Sequence, residues 1–134
     1  MEKNFRKDLS SLDEVFSFLR ESLLSFRTGK QSAYAVTLTV EEIFTNLVKY
    51  SPDGEGDITI GIESNGVHVV VTITGRNVEP FDPTATPDVD TSLPLEKRKV
   101  GGLGIHLAKQ LMDDIRYSYA DRCSRITLTK RLEH

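Results

Sequence analysis

The stretch Val40-Glu41-Glu42-Ile43-Phe44-Thr45-Asn46-Leu47-Val48-Lys49-Tyr50 reads as the second half of an amphipathic helix. Val36, Val40, Ile43, Phe44, Leu47 and Val48 recur at the spacing that makes one apolar face. At about 100° per residue, Glu42, Asn46 and Lys49 share a narrow stripe set well away from the centre of that face. A carboxylate there suits a general base, and an amide oxygen suits Mg²⁺, which keeps few protein ligands beside water and phosphate. A plain solvated helix face is the alternative, and a second element elsewhere in the chain must decide between them.

Outward from this helix, the N-terminal side starts with an edge strand between Lys3 and Leu9. A capping box follows at Ser11-Leu12-Asp13-Glu14, opening a helix that runs to about Arg27 and stops near Gly29. The organising helix spans about Ser32 to Tyr50. Beyond a turn at Pro52–Gly56, the period changes to two: Ile58, Ile60 and Ile62 alternate, and Val67, Val69, Val71 and Ile73 return after Asn65-Gly66, which suits a type I′ hairpin turn. Residues 76–100 hold four of the five prolines and read as a long loop, of the kind used for active-site lids or surface insertions. Gly101-Gly102-Leu103-Gly104 leads into a third helix. Ile115, Tyr117 and Tyr119, then Ile126 and Leu128, alternate as a closing hairpin across Ala120-Asp121-Arg122. Helices and hairpins cluster rather than alternate, which predicts an α+β, two-layer α/β sandwich.

At 134 residues the chain is long enough for one domain with a real core. A net charge of −3 offers no electrostatic case for nucleic acid. The single cysteine, Cys123, excludes an internal disulfide and suits a reducing compartment. No apolar run reaches membrane-spanning length, so no membrane partner and a cytoplasmic location are expected. Residues 1–131 are read as the domain, and Leu132-Glu133-His134 as an expression-tag remnant.

Glycines opening a helix give free N–H groups and the positive end of the helix dipole, both favourable to phosphate. Together with the Glu-x-x-x-Asn helix and the intervening loop they describe a Mg-nucleotide site. Glu42–Tyr50 resembles the N-box of the GHKL (Bergerat-fold) ATPase superfamily. Pro80-Phe81-Asp82-Pro83 and Gly101–Leu107 resemble its two later boxes. The small format is most similar to the anti-sigma-factor serine/threonine kinases of bacterial partner switching, and the similarity covers nearly the whole chain.

The resemblance implies a Bergerat-type sandwich, a mixed sheet with three helices on one face. It implies ATP and Mg²⁺ as ligands, Glu42 as general base and Asn46 as Mg²⁺ ligand. Lys49, Phe81, Lys99, Gly101, Gly102, Leu103 and Gly104 fall at nucleotide-binding positions, Phe81 rather as an anchor of its loop than as a stacking platform. The loop from about Asp88 to Val100, with Lys97, Arg98 and Lys99, matches the ATP lid. Implied partners are a sigma factor or other response regulator and an anti-anti-sigma (STAS) protein whose serine is phosphorylated; a homodimer is a family expectation.

One box departs from the pattern. The family carries Asp-x-Gly ending three residues before the phenylalanine, the Asp accepting the adenine amino group. Here Arg76 stands at the Asp position and Val78 at the Gly position, with Asn77 or Glu79 as substitutes if the loop shifts register. Arginine only donates, and an unpaired amino group costs about 1–3 kcal/mol. The alternative function is therefore a nucleotide-independent pseudokinase that sequesters a regulatory partner. His68, His106, Asp113, Asp114 and Cys123 have no ligand or catalytic pattern around them and are assigned packing, surface or turn roles.

Overall fold

In a computed structural model of the chain, residues 1–51, 56–80 and 109–132 are described. Strand β1 (Glu2–Arg6) leads through a short 3₁₀ turn into helices α1 (Leu12–Ser25) and α2 (Lys30–Lys49). Strands β2 (Asp57–Ser64), β3 (His68–Arg76), β4 (Asp114–Ala120) and β5 (Cys123–Arg131) complete one five-stranded sheet in the order β1-β2-β3-β5-β4. Residues 109–111, just before β4, are helical and stand where the third helix was expected to end.

The two-layer α/β sandwich is present. The sheet, expected to be mixed, pairs antiparallel at all four junctions among the described strands. The reason lies in one connection. β3 and β4 run in the same direction, but the crossover between them leaves a gap one strand wide, and β5 fills it.

The period-two pattern decides which face is covered. Ile58, Ile60, Ile62, Val69, Val71, Ile73, Ile126 and Leu128 are fully buried, while Thr59, Gly61, Glu63, Val70, Thr72, Thr74 and Arg125 line a shallow groove on the other face. Against the buried face pack Val15, Leu19 and Leu23 of α1 and Val36, Val40, Ile43, Phe44 and Leu47 of α2. Phe5 ties β1 to both helices through edge contacts with Phe18 (5.8 Å) and Phe44 (6.5 Å). Each buried side chain of this size stabilises the fold by about 1.5–3 kcal/mol relative to exposure.

Three local expectations are corrected. Ser11 makes no side-chain capping bond; instead Asp8 accepts from Ser10 N (2.8 Å) one turn earlier, so the chain enters α1 already wound. Helix α1 ends at Ser25, with Arg27 in the left-handed region (φ 56°) and the paired bonds Thr28 N to Leu23 O and Arg27 N to Leu24 O that define a Schellman stop. Gly29 is left as the residue that starts α2. The type I′ turn lies at Asp121-Arg122 (φ 53° and 60°) between paired Ala120 and Cys123, not at Asn65-Gly66. Asn65 instead turns its side chain onto Val67 N and His68 N, which makes a longer loop and leaves Val67 exposed.

Candidate functional site

Helix α2 carries Glu42, Asn46 and Lys49 along one side, and the packing of its apolar face fixes their placement. Asn46 lies closer to the core than its sequence stripe suggests, with 4% of its surface exposed. Its Nδ2 donates to Glu42 O at 2.7 Å, which orients the amide and keeps Oδ1 as its acceptor atom. Glu42 is half-buried; desolvation first, and the neighbouring Glu41 charge second, raise its carboxyl above the usual glutamate range. Lys49 is exposed, its ammonium 5.9 Å from the centre of the Tyr50 ring. The half-buried Glu42 carboxyl and the oriented, buried Asn46 amide thus stand one helical turn apart on α2.

The far wall comes from the end of β3. Gly75 lies against α2, where an added Cβ would stand 3.1 Å from Leu47 Cδ2. This close approach brings residues 76–79 to the C-terminal end of α2, where Glu79 N donates to Tyr50 O (2.9 Å). Val78 is fully buried. Its N–H donates to Arg122 O (3.1 Å), and its carbonyl accepts from Tyr119 Oη (2.8 Å).

Arg76 points the other way. Its Nη1 donates to Asp57 Oδ1 (2.8 Å) and Thr59 Oγ1 (2.9 Å) on the uncovered face of the sheet. Strand alternation causes this: with Gly75 facing the helices, its neighbour must face away. Asn77 (φ 55°) and Glu79 are both exposed, and Val78, between them, takes the inward position. Arg76 and Val78, the two residues at which the sequence departs from the family's box, thus take opposite faces.

Lys7 was not anticipated. It is 5% exposed, and its ammonium donates to Arg76 O (2.6 Å) and Asn77 O (3.0 Å). Nothing in Arg6-Lys7-Asp8 distinguishes it from a solvated charge run, because its acceptors lie some seventy residues away. The glycine at 75 did carry a signal, since glycine inside a strand often marks a close backbone approach.

Phe81, Lys99, Gly101, Gly102, Leu103, Gly104 and the lid segment from Asp88 to Val100 lie outside the described residues, as does His106. Asp113 and Asp114 have structural partners: Asp113 Oδ2 accepts from Arg131 N (2.6 Å), and Asp114 pairs with Arg116 (2.9 Å). Among the described residues no group of three His, Cys, Asp or Glu side chains is placed to hold a metal ion. No helix among them is long and apolar enough to cross a membrane.

The profile of the histidine kinase-like ATPase domain matches residues 5–130 of the chain. A search of curated proteins returned no match. Among solved structures, the RsbU and RsbW domains of a Mycobacterium tuberculosis protein superpose with a TM-score of 0.72 at 17% identity, over 98% of this chain and 31% of that one. This chain therefore spans about a third of that relative's length. The SiaB–SiaC complex of Pseudomonas aeruginosa gives 0.62 at 18% identity, over 98% and 88% of the two chains. The mycobacterial sensor histidine kinase MprB gives 0.53 at 17%, over 99% of both. At these identities the superpositions bear on the fold, and the profile bears on descent. By that match the chain belongs to the histidine kinase-like ATPase domain family, with its Bergerat-type sandwich.

Proposed function

We propose that the protein is a cytoplasmic regulator of the anti-sigma type that binds Mg-ATP and phosphorylates a serine of an anti-anti-sigma (STAS) partner. The observation that carries this reading is the Glu42–Asn46 pair. A half-buried carboxylate of raised basicity stands one turn from a buried amide whose nitrogen is already engaged. A merely solvated helix face has no use for either feature. The amide oxygen, held in place, is the donor type Mg²⁺ takes, so the residues present fit the ion.

Asn46 Oδ1 would hold Mg²⁺, which when bound neutralises phosphate charge. The remaining work falls to the chain. Glu42 receives the hydroxyl proton of the incoming serine as its oxygen bonds to the γ-phosphorus and the bond from that phosphorus to ADP breaks. Desolvation strengthens the carboxylate as a base, and the rigid helix fixes it relative to Asn46. Partner recognition accords with the resemblance to anti-sigma kinases. The sigma factor or other response regulator, and a second copy, are the remaining partners of the proposal.

One observation favours a second reading. Val78, at the family's glycine position, is buried, and Arg76, at its aspartate position, is tied to Asp57 on the opposite face, so neither side chain supplies an acceptor for adenine. A pseudokinase that sequesters its partner without nucleotide would tolerate this. Thermal unfolding with and without Mg-ATP separates the two. At a hundredfold over Kd, binding stabilises by about 2.7 kcal/mol, a rise of several degrees at this size. A rise that disappears in Asn46→Ala supports the kinase. No rise at millimolar nucleotide refutes it in favour of the sequestering module.

A further inference from the structure

Strand β1 is an outer strand of the described sheet, and no described strand pairs with its other side. Met1 and Ile62 exchange both backbone bonds, at 3.0 and 2.8 Å, and the antiparallel register then turns the backbone groups of Lys3 and Phe5 toward β2 as well. The N–H and C=O groups of Glu2, Asn4 and Arg6 therefore point out of the sheet. Arg6 O accepts from Asp8 N (2.8 Å) and keeps a second lone pair. Such an edge is a template for another strand unless charge, proline or a bulge blunts it. β1 is charged, and the order of its charges decides what it repels.

Antiparallel pairing of β1 with β1 of a second copy, centred on Asn4, sets Glu2 opposite Arg6, Asn4 opposite Asn4 and Arg6 opposite Glu2. Every outward backbone group meets a partner in this register. The side chains of these residues share the uncovered face of the sheet, opposite to buried Phe5, so each Glu2 meets an Arg6 at cross-strand distance. Both are exposed, and neither makes an ion pair among the described residues. Asp57, beside Arg6 on β2, is held by Arg76 at 2.8 Å. On the helix side Lys3 falls opposite Phe5 of the second copy, and its ammonium already lies 5.5 Å from the Phe5 ring of its own chain. Sliding the second copy by two residues sets Lys3 against Lys3 in one direction and takes Glu2 from its arginine in the other. A guarded edge carries charges that repel a copy of itself; these attract one.

We propose that β1 is a homodimer seam, at which two copies join edge to edge into one continuous sheet with their helices on the same face. The two-fold axis normal to the sheet follows from antiparallel edge pairing. The inference gives a surface to the second copy of the proposed function and rests on that reading only in naming it. One strand edge is a small interface, so the association is weak and reversible.

The test is sedimentation velocity of the full chain over concentrations that bracket a dissociation constant of about 10 µM, the order expected of a small interface. Wild type is expected to pass reversibly from monomer to dimer. Glu2→Arg sets arginine against Arg6, and Arg6→Glu sets glutamate against Glu2, so each alone weakens dimerisation by about tenfold or more. An equimolar mixture of the two single variants dimerises again, one copy of each, because every facing pair is then opposite in sign. The doubly reversed variant Glu2→Arg/Arg6→Glu dimerises like wild type, which shows that the substitutions leave the strand folded.

A wild type that stays monomeric throughout overturns the inference. A dimer that persists in both single variants overturns the choice of β1, and single variants that do not recover on mixing overturn the register. Thermal unfolding with Mg-ATP reads the nucleotide site separately. A dimer without nucleotide stabilisation leaves the seam standing and removes the kinase; stabilisation without a dimer removes the seam alone.

Discussion

Replacing Gly75 with alanine probes the contact that joins β3 to the helix bearing Glu42 and Asn46. The new Cβ would stand 3.1 and 3.2 Å from the two methyls of Leu47. Leu47 is fully buried and has little room to yield. Overpacking of this kind costs about 1–3 kcal/mol. Against it, removing a glycine from a strand interior recovers about 0.5–1 kcal/mol of backbone entropy. The balance is a loss of about 1 kcal/mol, which lowers Tm by about 3–5 °C at this chain length. Leu47→Ala alone costs about 2–5 kcal/mol, through the cavity it leaves. In that background the alanine at 75 enters empty space, and its effect becomes neutral or favourable by about 0.5 kcal/mol. Urea unfolding of the four proteins, followed by far-UV circular dichroism, yields a coupling energy of about 1–2 kcal/mol. Equal losses for Gly75→Ala in both backgrounds would show that the two residues do not meet, and the placement of the far wall would fall with them.

Glu42→Gln tests the base through pH. A folded-state pKa raised above the unfolded value means that the native state binds its proton more tightly. The group therefore favours folding at acid pH, and that contribution is lost as pH rises through the raised pKa. Glu42→Gln is expected to melt higher than wild type at neutral pH and to converge with it below the unfolded carboxylate range, while phosphotransfer is abolished. A lower melting point at neutral pH refutes the assignment. Arg122→Gly relieves one of the two left-handed residues of the β4–β5 turn without touching the Arg122 carbonyl. It should stabilise by about 0.5–1 kcal/mol in denaturant titration. Arg76→Ala removes an ion pair whose side chains are each nearly half exposed, so stability should move by less than about 0.5 kcal/mol and nucleotide affinity not at all. A tenfold loss of affinity would return Arg76 to the site.

The architecture was legible where burial follows a short period. α2 is one continuous apolar face, and Ile58, Ile60, Ile62, Val71, Ile73, Ile126 and Leu128 announce which side of the sheet is covered. The Glu42–Asn46 pair was legible for the same reason, because a single helix brings both residues to one side. Turns were harder. Asn65-Gly66 carries the stronger type I′ signal, but its asparagine side chain captured two backbone N–H groups and opened the loop. The turn at Asp121-Arg122 has poor residues for that geometry, yet the pairing of Ala120 with Cys123 leaves two residues in which to reverse the chain. At the base end, the sequence shows a missing acceptor but not the direction in which its replacement points. Strand parity determines that, and parity is set by Gly75 against Leu47 across the layers. Lys7 is invisible for a stronger reason: its burial depends wholly on a partner segment that the chain has yet to reach.

The insertion of β5 between β3 and β4 has a consequence for how the protein is made. Among the described strands Cys123–Arg131 follows the others in sequence, yet it is the one that joins β4 to the rest of the sheet. Until it emerges, β3 presents an open edge, β4 has no neighbour, and the buried side of the sheet lacks Ile126 and Leu128. Between the completion of β3 and the arrival of β5 the chain carries an unpaired edge and an incomplete apolar face, a state prone to mispairing. The sheet closes only once Cys123–Arg131 is available, and a chain truncated before Cys123 is expected to lack a stable sheet.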